Sequence, residues 1–424
     1  MWKIFLTFIW LIIFSSVVNA SENSDKDFAT EGTRLVCALS SLAAYSDDEG
    51  FLARSILDAH GWKIESIVSE KNNVRIKAYL IGRKIPEEPN IKILVVAGTE
   101  DIQDVEVNFR MGGVELHKDV NDEIFVHRGF RDYADSTLSG GVAEYIIDEL
   151  NKNPDETLYL TGHSLGGAVA LMTAIRLNDM GVDKNRMKII TFGAVAVGNK
   201  KLADAYKDKL DFTRIEVKGD VVRKIFEPFG YVQFGDVVNY KPAKNVDHYE
   251  HKMALYLDCA IRNYFDAGGF DFPVSNSQNK IDAPIYVAPI KFVKENFNSK
   301  DQKYIYGLIR MNLSARFTDV IFAEQNYYEV ESADDVSSGV TRMIQNAKDA
   351  GCRYVFVQLI SGERVRDAQD DECKVSVYEF LYDTEGMPIF MQTSGMSTKD
   401  FTLIEAAAFA HETLRKKFET SLQN

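Results

Sequence analysis

The sequence predicts an α/β fold in two units, a first one built on a mostly parallel sheet and a smaller α/β (α+β) one at the C-terminal end. Three observations carry this. Short apolar runs such as Ile91 to Ala97, Leu158 to Thr161 and Lys188 to Phe192 alternate with longer helical patterns such as Val142 to Asn151 and Ala168 to Leu177, as buried strands alternate with the helices that cover them. A composition shift at Asp266-Ala267-Gly268-Gly269 and the polar run Ser275 to Lys280 carries the Gly, Asn, Ser and Gln of a linker. Finally, 424 residues with 46% hydrophobic and 26% charged content are enough for two or three cores of about 150 residues each.

The elements follow in order. Residues 1–20 are set aside as a leader. Lys3 supplies a positive charge, the 15 residues from Ile4 to Val18 are almost wholly apolar, and Val18-Asn19-Ala20 offers small residues at a cleavage site. An uncleaved anchor is the competing reading, but 15 residues fall short of the roughly 20 that span a bilayer. A cleaved leader implies a secreted or periplasmic protein. Residues 21–268 form the first unit, 269–284 the linker and 285–424 the second unit. In the last, Ile285 to Phe292 reads as a strand, Lys300 to Phe317 as a helix, Val320 to Ala323 as a strand and Ala333 to Ala350 as a helix. Tyr354 to Ile360, Val375 to Tyr382 and Ile389 to Thr393 are then strands, and Thr398 to Leu422 is a closing helix.

Charge narrows the partners. Lys plus Arg number 49 against 63 Asp plus Glu, a formal charge of −14, so nucleic acid is not expected as a partner. Anionic membrane surfaces are disfavoured too, although an apolar face can still make transient contact with a lipid interface. No pattern calls for a metal or cofactor. Cys37, Cys259, Cys352 and Cys373 form no Cys-x-x-Cys. The acidic run Asp367 to Glu372 lacks the alternating ligands and glycine of a calcium loop. In an oxidising compartment four cysteines allow three pairings; four buried free thiols are the alternative.

The chemistry concentrates at Leu158-Tyr159-Leu160-Thr161-Gly162-His163-Ser164-Leu165-Gly166-Gly167-Ala168. A bare Gly-x-Ser-x-Gly is weak, but here an apolar strand enters and an Ala-rich helix leaves. That context makes it a nucleophile elbow, which lifts a serine oxygen above the sheet at a helix N-terminus. Such a serine needs a base and an orienting carboxylate, in the order Ser, acid, His. Only His248, His251 and His411 follow Ser164, and His411 sits in the second unit, which leaves His251 or His248. For the acid, Ile215 to Val222 presents a strand that ends in Gly219-Asp220, at the sheet edge where catalytic loops gather. Asp211, Asp236 and Asp247 compete with Asp220.

Five segments in order, Val96-Ala97-Gly98-Thr99, His127-Arg128-Gly129-Phe130, Gly162 to Gly167, Asp220-Val221-Val222 and His251, resemble the class 3 lipases, the fungal-type lipase family of α/β-hydrolases. The resemblance covers roughly residues 30 to 265. It implies an α/β-hydrolase domain and a secreted serine hydrolase cleaving carboxylic esters of lipids, whether triacylglycerols, phospholipids or simpler esters. It further implies Ser164 as nucleophile, His251 as base, Asp220 as acid, and the backbone N–H groups of Thr99 and Leu165 as oxyanion donors. His251 is favoured over His248 because His251-Lys252-Met253-x-x-Tyr256 is similar to the bacterial members' motif. His127 is expected to be a packed histidine beside the site. The chain departs from the family in Ala97, where Arg is usual, and in Glu100 to Phe125, which holds no Trp for a lid. The family's disulfide habit implies Cys37 with Cys259, and hence Cys352 with Cys373. The second unit faintly resembles the small α/β domain of TolB-type envelope proteins, which implies a protein partner there. A non-catalytic binding or envelope-assembly protein on a hydrolase scaffold is therefore the competing function.

Overall fold

A computed structural model describes residues 30–423 apart from 46, 68–69, 72–73, 76, 84–90, 99–112, 118–122, 244–250, 270–279, 294–296, 324–332 and 367–370. The expected leader, Thr99, most of the stretch from Glu100 to Phe125, Asp247, His248, the middle of the expected linker and most of the acidic run lie outside the described residues.

The first sheet has seven strands, β1 (Lys63–Ile67), β2 (Ala78–Arg83), β3 (Ile91–Val96), β4 (Thr157–His163), β5 (Met187–Phe192), β6 (Asp211–Val217) and β7 (Asp236–Tyr240), and their spatial order is their chain order. Strands β1 to β3 pair antiparallel, and β3 to β7 run parallel. The mostly parallel sheet expected of the first unit is thus present. Successive side chains of a strand point to opposite faces, and β3 shows the result. Ile93 and Val95 enter one apolar cluster with helices 30–43, Asp47–Ala59 and Met253–Asp266, while Leu94 and Val96 enter another with helices Arg128–Thr137, Val142–Lys152 and Leu165–Asp179. Both faces are covered, which is why Ile93 to Val96 of β3 reads as a continuous apolar run.

The second sheet is mixed. Strands β8 (Ile285–Val287), β9 (Lys291–Val293) and β10 (Val320–Phe322) belong to its parallel part. Strands β11 (Tyr354–Arg366), β12 (Asp371–Asp383) and β13 (Pro388–Thr398) form an antiparallel meander. The single strand expected at Ile285 to Phe292 is thus two, both paired with β11. Pro289 lies in the break, and it has no N–H with which to continue the ladder. The end of the expected linker is docked: Ile281 donates its N–H to the Arg316 carbonyl at 2.7 Å, and Pro284 accepts from Arg353 at 2.9 Å. Helices Ser299–Arg316 and Leu403–Gln423 pack on the inner face of this sheet, and the apolar cluster they form is continuous with that of the first sheet.

All four cysteines are free and buried, so the expected disulfides are not formed. For Cys352 with Cys373 the register gives the reason. Cys373 stands opposite Arg364, while Cys352 precedes Tyr354 at the far end of β11, which puts them roughly 40 Å apart at about 3.3 Å per residue. They also sit in different apolar clusters. Cys37 and Cys259 share the large cluster but are unbonded. Burial pushes the Cys37 thiol up to about 12, so the group behaves as a small apolar side chain.

Candidate active site

The C-terminal ends of the parallel strands lie along one sheet edge, and the turns that leave them place the polar groups. Strand β4 turns into helix Leu165–Asp179 at Ser164, whose φ of 56° and ψ of −125° are unusual for a residue with a side chain. Such a backbone costs about 1–3 kcal/mol. It persists here because its neighbours fix it. The Ser164 N–H donates to the Phe192 carbonyl at 2.9 Å. A Cβ at Gly166 would lie 2.3 Å from the Val96 carbonyl oxygen, and one at Gly162 would meet Gly166 at 2.5 Å. The two glycines let the helix start close against β3 and β4. Leu165 opens that helix, where the first backbone N–H groups have no intrahelical acceptor and face developing negative charge favourably.

Asp220 follows β6, and its side chain is almost wholly buried. It is held by three donors. Its Oδ1 accepts from the Val222 N–H at 2.9 Å; its Oδ2 accepts from the Tyr256 hydroxyl at 2.5 Å and lies 2.8 Å from His251 Nδ1. The other His251 nitrogen, Nε2, lies 2.8 Å from Ser164 Oγ. Serine oxygen, imidazole and carboxylate therefore form one hydrogen-bonded line. The loop that carries Asp220 is pinned by Arg223, which pairs at 2.8 Å with Glu216 of β6, itself paired with Arg214 at 2.9 Å.

Four residues that the sequence analysis left without a role complete the surroundings. Tyr256 is fully buried; burial and the Asp220 charge push its phenol well above the ordinary range, so it stays protonated and donates. Gly193, with φ of 57°, makes room for both, since a Cβ there would lie 2.7 Å from the Tyr256 hydroxyl and 2.8 Å from Asp220 Oδ2. His163 packs against His251 with centroids 4.8 Å apart and the rings tilted by 37°, and its Nδ1 lies 2.6 Å from the Tyr45 hydroxyl. Burial, then the His251 charge, holds His163 well below the usual histidine range. A neutral ring thus lies beside the imidazole. Tyr256 stands in the His-x-Met-x-x-Tyr motif, so its position was visible; Tyr45 lies 118 residues before His163, with no local pattern to mark it.

His127 is buried, its ring 4.3 Å from Phe130 and 5.3 Å from Phe226 between centroids, and burial pushes it down to about 4. It lines a cavity of about 520 Å³ with Phe125, Phe226, Phe229 and Tyr231. Beyond Asp220 the loop exposes apolar side chains among its charged ones: Val221 is 73% and Phe229 56% exposed. Asp211 opens strand β6 and Asp236 opens β7; the line runs through neither. Among the described residues no group of three or more His, Cys, Asp or Glu side chains is arranged to hold a metal ion.

Comparison with known proteins bears on the same region. Residues 93–229 match the model of the lipase (class 3) family, so the resemblance to that family holds over this segment. A lipase of Caenorhabditis elegans is 38% identical over 85 residues, 19% of this chain and 24% of that protein; the chain spans about a quarter of the length of this curated relative. Among solved structures, the lipase of Rhizopus microsporus var. chinensis is similar at 19% identity over 50% of this chain and 73% of its own, with a TM-score of 0.41. The Rhizomucor miehei triacylglyceride lipase is similar at 19% identity over 51% and 81%, also with a TM-score of 0.41.

Proposed function

We propose that the protein is a serine hydrolase that cleaves carboxylic esters of lipids through an acyl-enzyme on Ser164. The observation that carries this reading is the line from Ser164 Oγ through His251 to Asp220, with both links at 2.8 Å, at a strained strand-to-helix turn. In the first step His251 Nε2 takes the Ser164 proton as Oγ attacks the ester carbonyl, while the Asp220 carboxylate stabilises the imidazolium that forms. The negative oxygen of the tetrahedral intermediate is stabilised by backbone N–H donors, for which Leu165 at the helix start is one candidate and Thr99 the other. His251 then protonates the leaving alcohol, and water repeats the sequence to release the acid.

The exposed Val221 and Phe229 beside the acid loop support a lipid ester over a fully water-soluble one. On the expectation of a leader at residues 1–20, the reading includes export. Assay of wild type and Ser164→Ala on p-nitrophenyl and glyceryl esters of increasing chain length tests it. Hydrolysis that disappears with the hydroxyl supports the reading; equal rates in the two proteins sink it.

A further inference from the structure

The role of the region after residue 285 is open, yet it grips one element of the site at several points. That element is helix Met253–Asp266, which starts two residues after His251 and carries Tyr256 to Asp220. Residues two apart on a helix point to nearly opposite sides, so Tyr256 faces the site while Asp258, and Arg262 one turn on, face away from it. There Asp258 accepts from Arg262 Nε at 2.6 Å and from the Thr402 hydroxyl at 3.1 Å. Arg262 also pairs with Asp301 at 2.8 Å. Asp258, Asp301 and Thr402 are all essentially inaccessible to water. At the helix start Lys252, the residue next to His251, reaches Asp400 at 2.7 Å and the Lys399 carbonyl at 2.9 Å. At its end Asp266 accepts from the Tyr304 hydroxyl at 2.9 Å.

Thr402 is placed for this task. Its N–H donates to Glu405 at 3.0 Å, half of a capping box at the start of the last helix, and this leaves the hydroxyl to reach across to Asp258. Asp258 and Asp301 share the cation Arg262, and a buried charge that loses its partner is strongly unfavourable, so displacement of the helix from this arrangement is resisted. The cluster fixes the helix in rotation and along its axis. His251 and Tyr256 are thereby fixed too.

We infer that the 285–424 region is a positioning device for the proposed base, in which Thr402, Asp301 and Asp400 hold the helix that brings His251 and Tyr256 to Asp220. This rests on the reading of Ser164, His251 and Asp220 as a hydrolytic site. None of the three touches that site, so their effect falls on kcat and not on KM. Misplacing a catalytic group by about 1 Å can cost on the order of a hundredfold, and loss of one buried hydroxyl should shift the helix by less.

The test uses the full chain, with p-nitrophenyl butyrate as substrate and active sites titrated by a fluorophosphonate, so that kcat is counted per competent site. Thr402→Val should lower that kcat about tenfold with KM within about twofold, and Thr402→Ser, which keeps the hydroxyl, should restore it. Asp400→Ala, at a surface pair that contributes little to stability, should lower kcat about threefold with an unchanged melting temperature. Wild-type kcat per titrated site in both Thr402→Val and Asp400→Ala overturns this inference alone. Wild-type hydrolysis that survives Ser164→Ala overturns the reading of the site and the inference with it.

Discussion

Tyr256→Phe removes a single oxygen from the interior. The phenol donates to Asp220 Oδ2 at 2.5 Å, and the carboxylate has two other donors, the Val222 N–H at 2.9 Å and the imidazole at 2.8 Å. Both partners are buried, so water does not replace the lost donor. A hydrogen bond to a charged group contributes about 1.5–3 kcal/mol, and the variant should be less stable by about 2 kcal/mol in urea unfolding. The same oxygen fixes the rotation of the carboxylate that orients His251. If all of that energy is needed at the transition state, kcat/KM falls about thirtyfold, each 1.36 kcal/mol being a factor of ten. The loss belongs in kcat, because a fully buried phenol has no access to the substrate. Steady-state hydrolysis of p-nitrophenyl butyrate reads both constants. A change under about twofold in kcat/KM, with stability intact, would refute the role given to the phenol.

Four further outcomes follow from the structure. Gly193→Ala combines a strained φ of 57° with a Cβ within 2.8 Å of Asp220 Oδ2 and Tyr256, so activity should fall by about a hundredfold or more; activity near wild type would contradict the crowding. In the second unit burial would lower His411, but Glu379, 2.5 Å away, raises it above 6.5 overall. That contribution to stability is full below pH 6.5 and is lost as pH rises through the folded value; His411→Gln should flatten the alkaline limb of unfolding free energy against pH, and an unaltered limb would refute it. Burial would raise the neighbouring Glu412, but the Arg316 and His411 charges hold it at about 2, so its contribution is present above pH 4.5 and lost as pH falls through about 2; the acid limb of the wild-type curve reads this loss. Because the four cysteines are free and buried, dithiothreitol should leave the melting temperature unchanged, whereas a fall of several degrees would reveal a stabilising disulfide.

What could be read from the sequence divides along the range of the interaction. The elbow at Ser164 was legible because its cause is local: glycines two residues either side remove the side chains that would clash. Strands β3 to β5 stood out as apolar runs because helices cover both faces. Strands β1 and β2, at one margin of the sheet, went unread: β1 has only Ile64 and Ile67 as apolar residues, and the short apolar run Ala78 to Ile81 of β2 is set between charged residues. The break between β8 and β9 was marked by Pro289 but masked by the apolar residues around it. Tyr45, Gly193 and the hold of Thr402 on Asp258 depend on contacts 36 to 144 residues apart or on backbone set by the fold, and no periodicity reports those. The cysteine pairing inferred for the second unit failed for the same reason. Position in the chain gave no hint that Cys352 and Cys373 stand at opposite ends of a hairpin.

The central claim is that Ser164 is a nucleophile activated by His251. Mass spectrometry of the intact protein after reaction with a fluorophosphonate probe tests it most directly, with Ser164→Ala and His251→Ala in parallel. One adduct per chain, mapped to Ser164, absent from Ser164→Ala and formed far more slowly in His251→Ala, is the result expected. An adduct on another residue, or labelling of Ser164 at the same rate without the imidazole, would contradict the account.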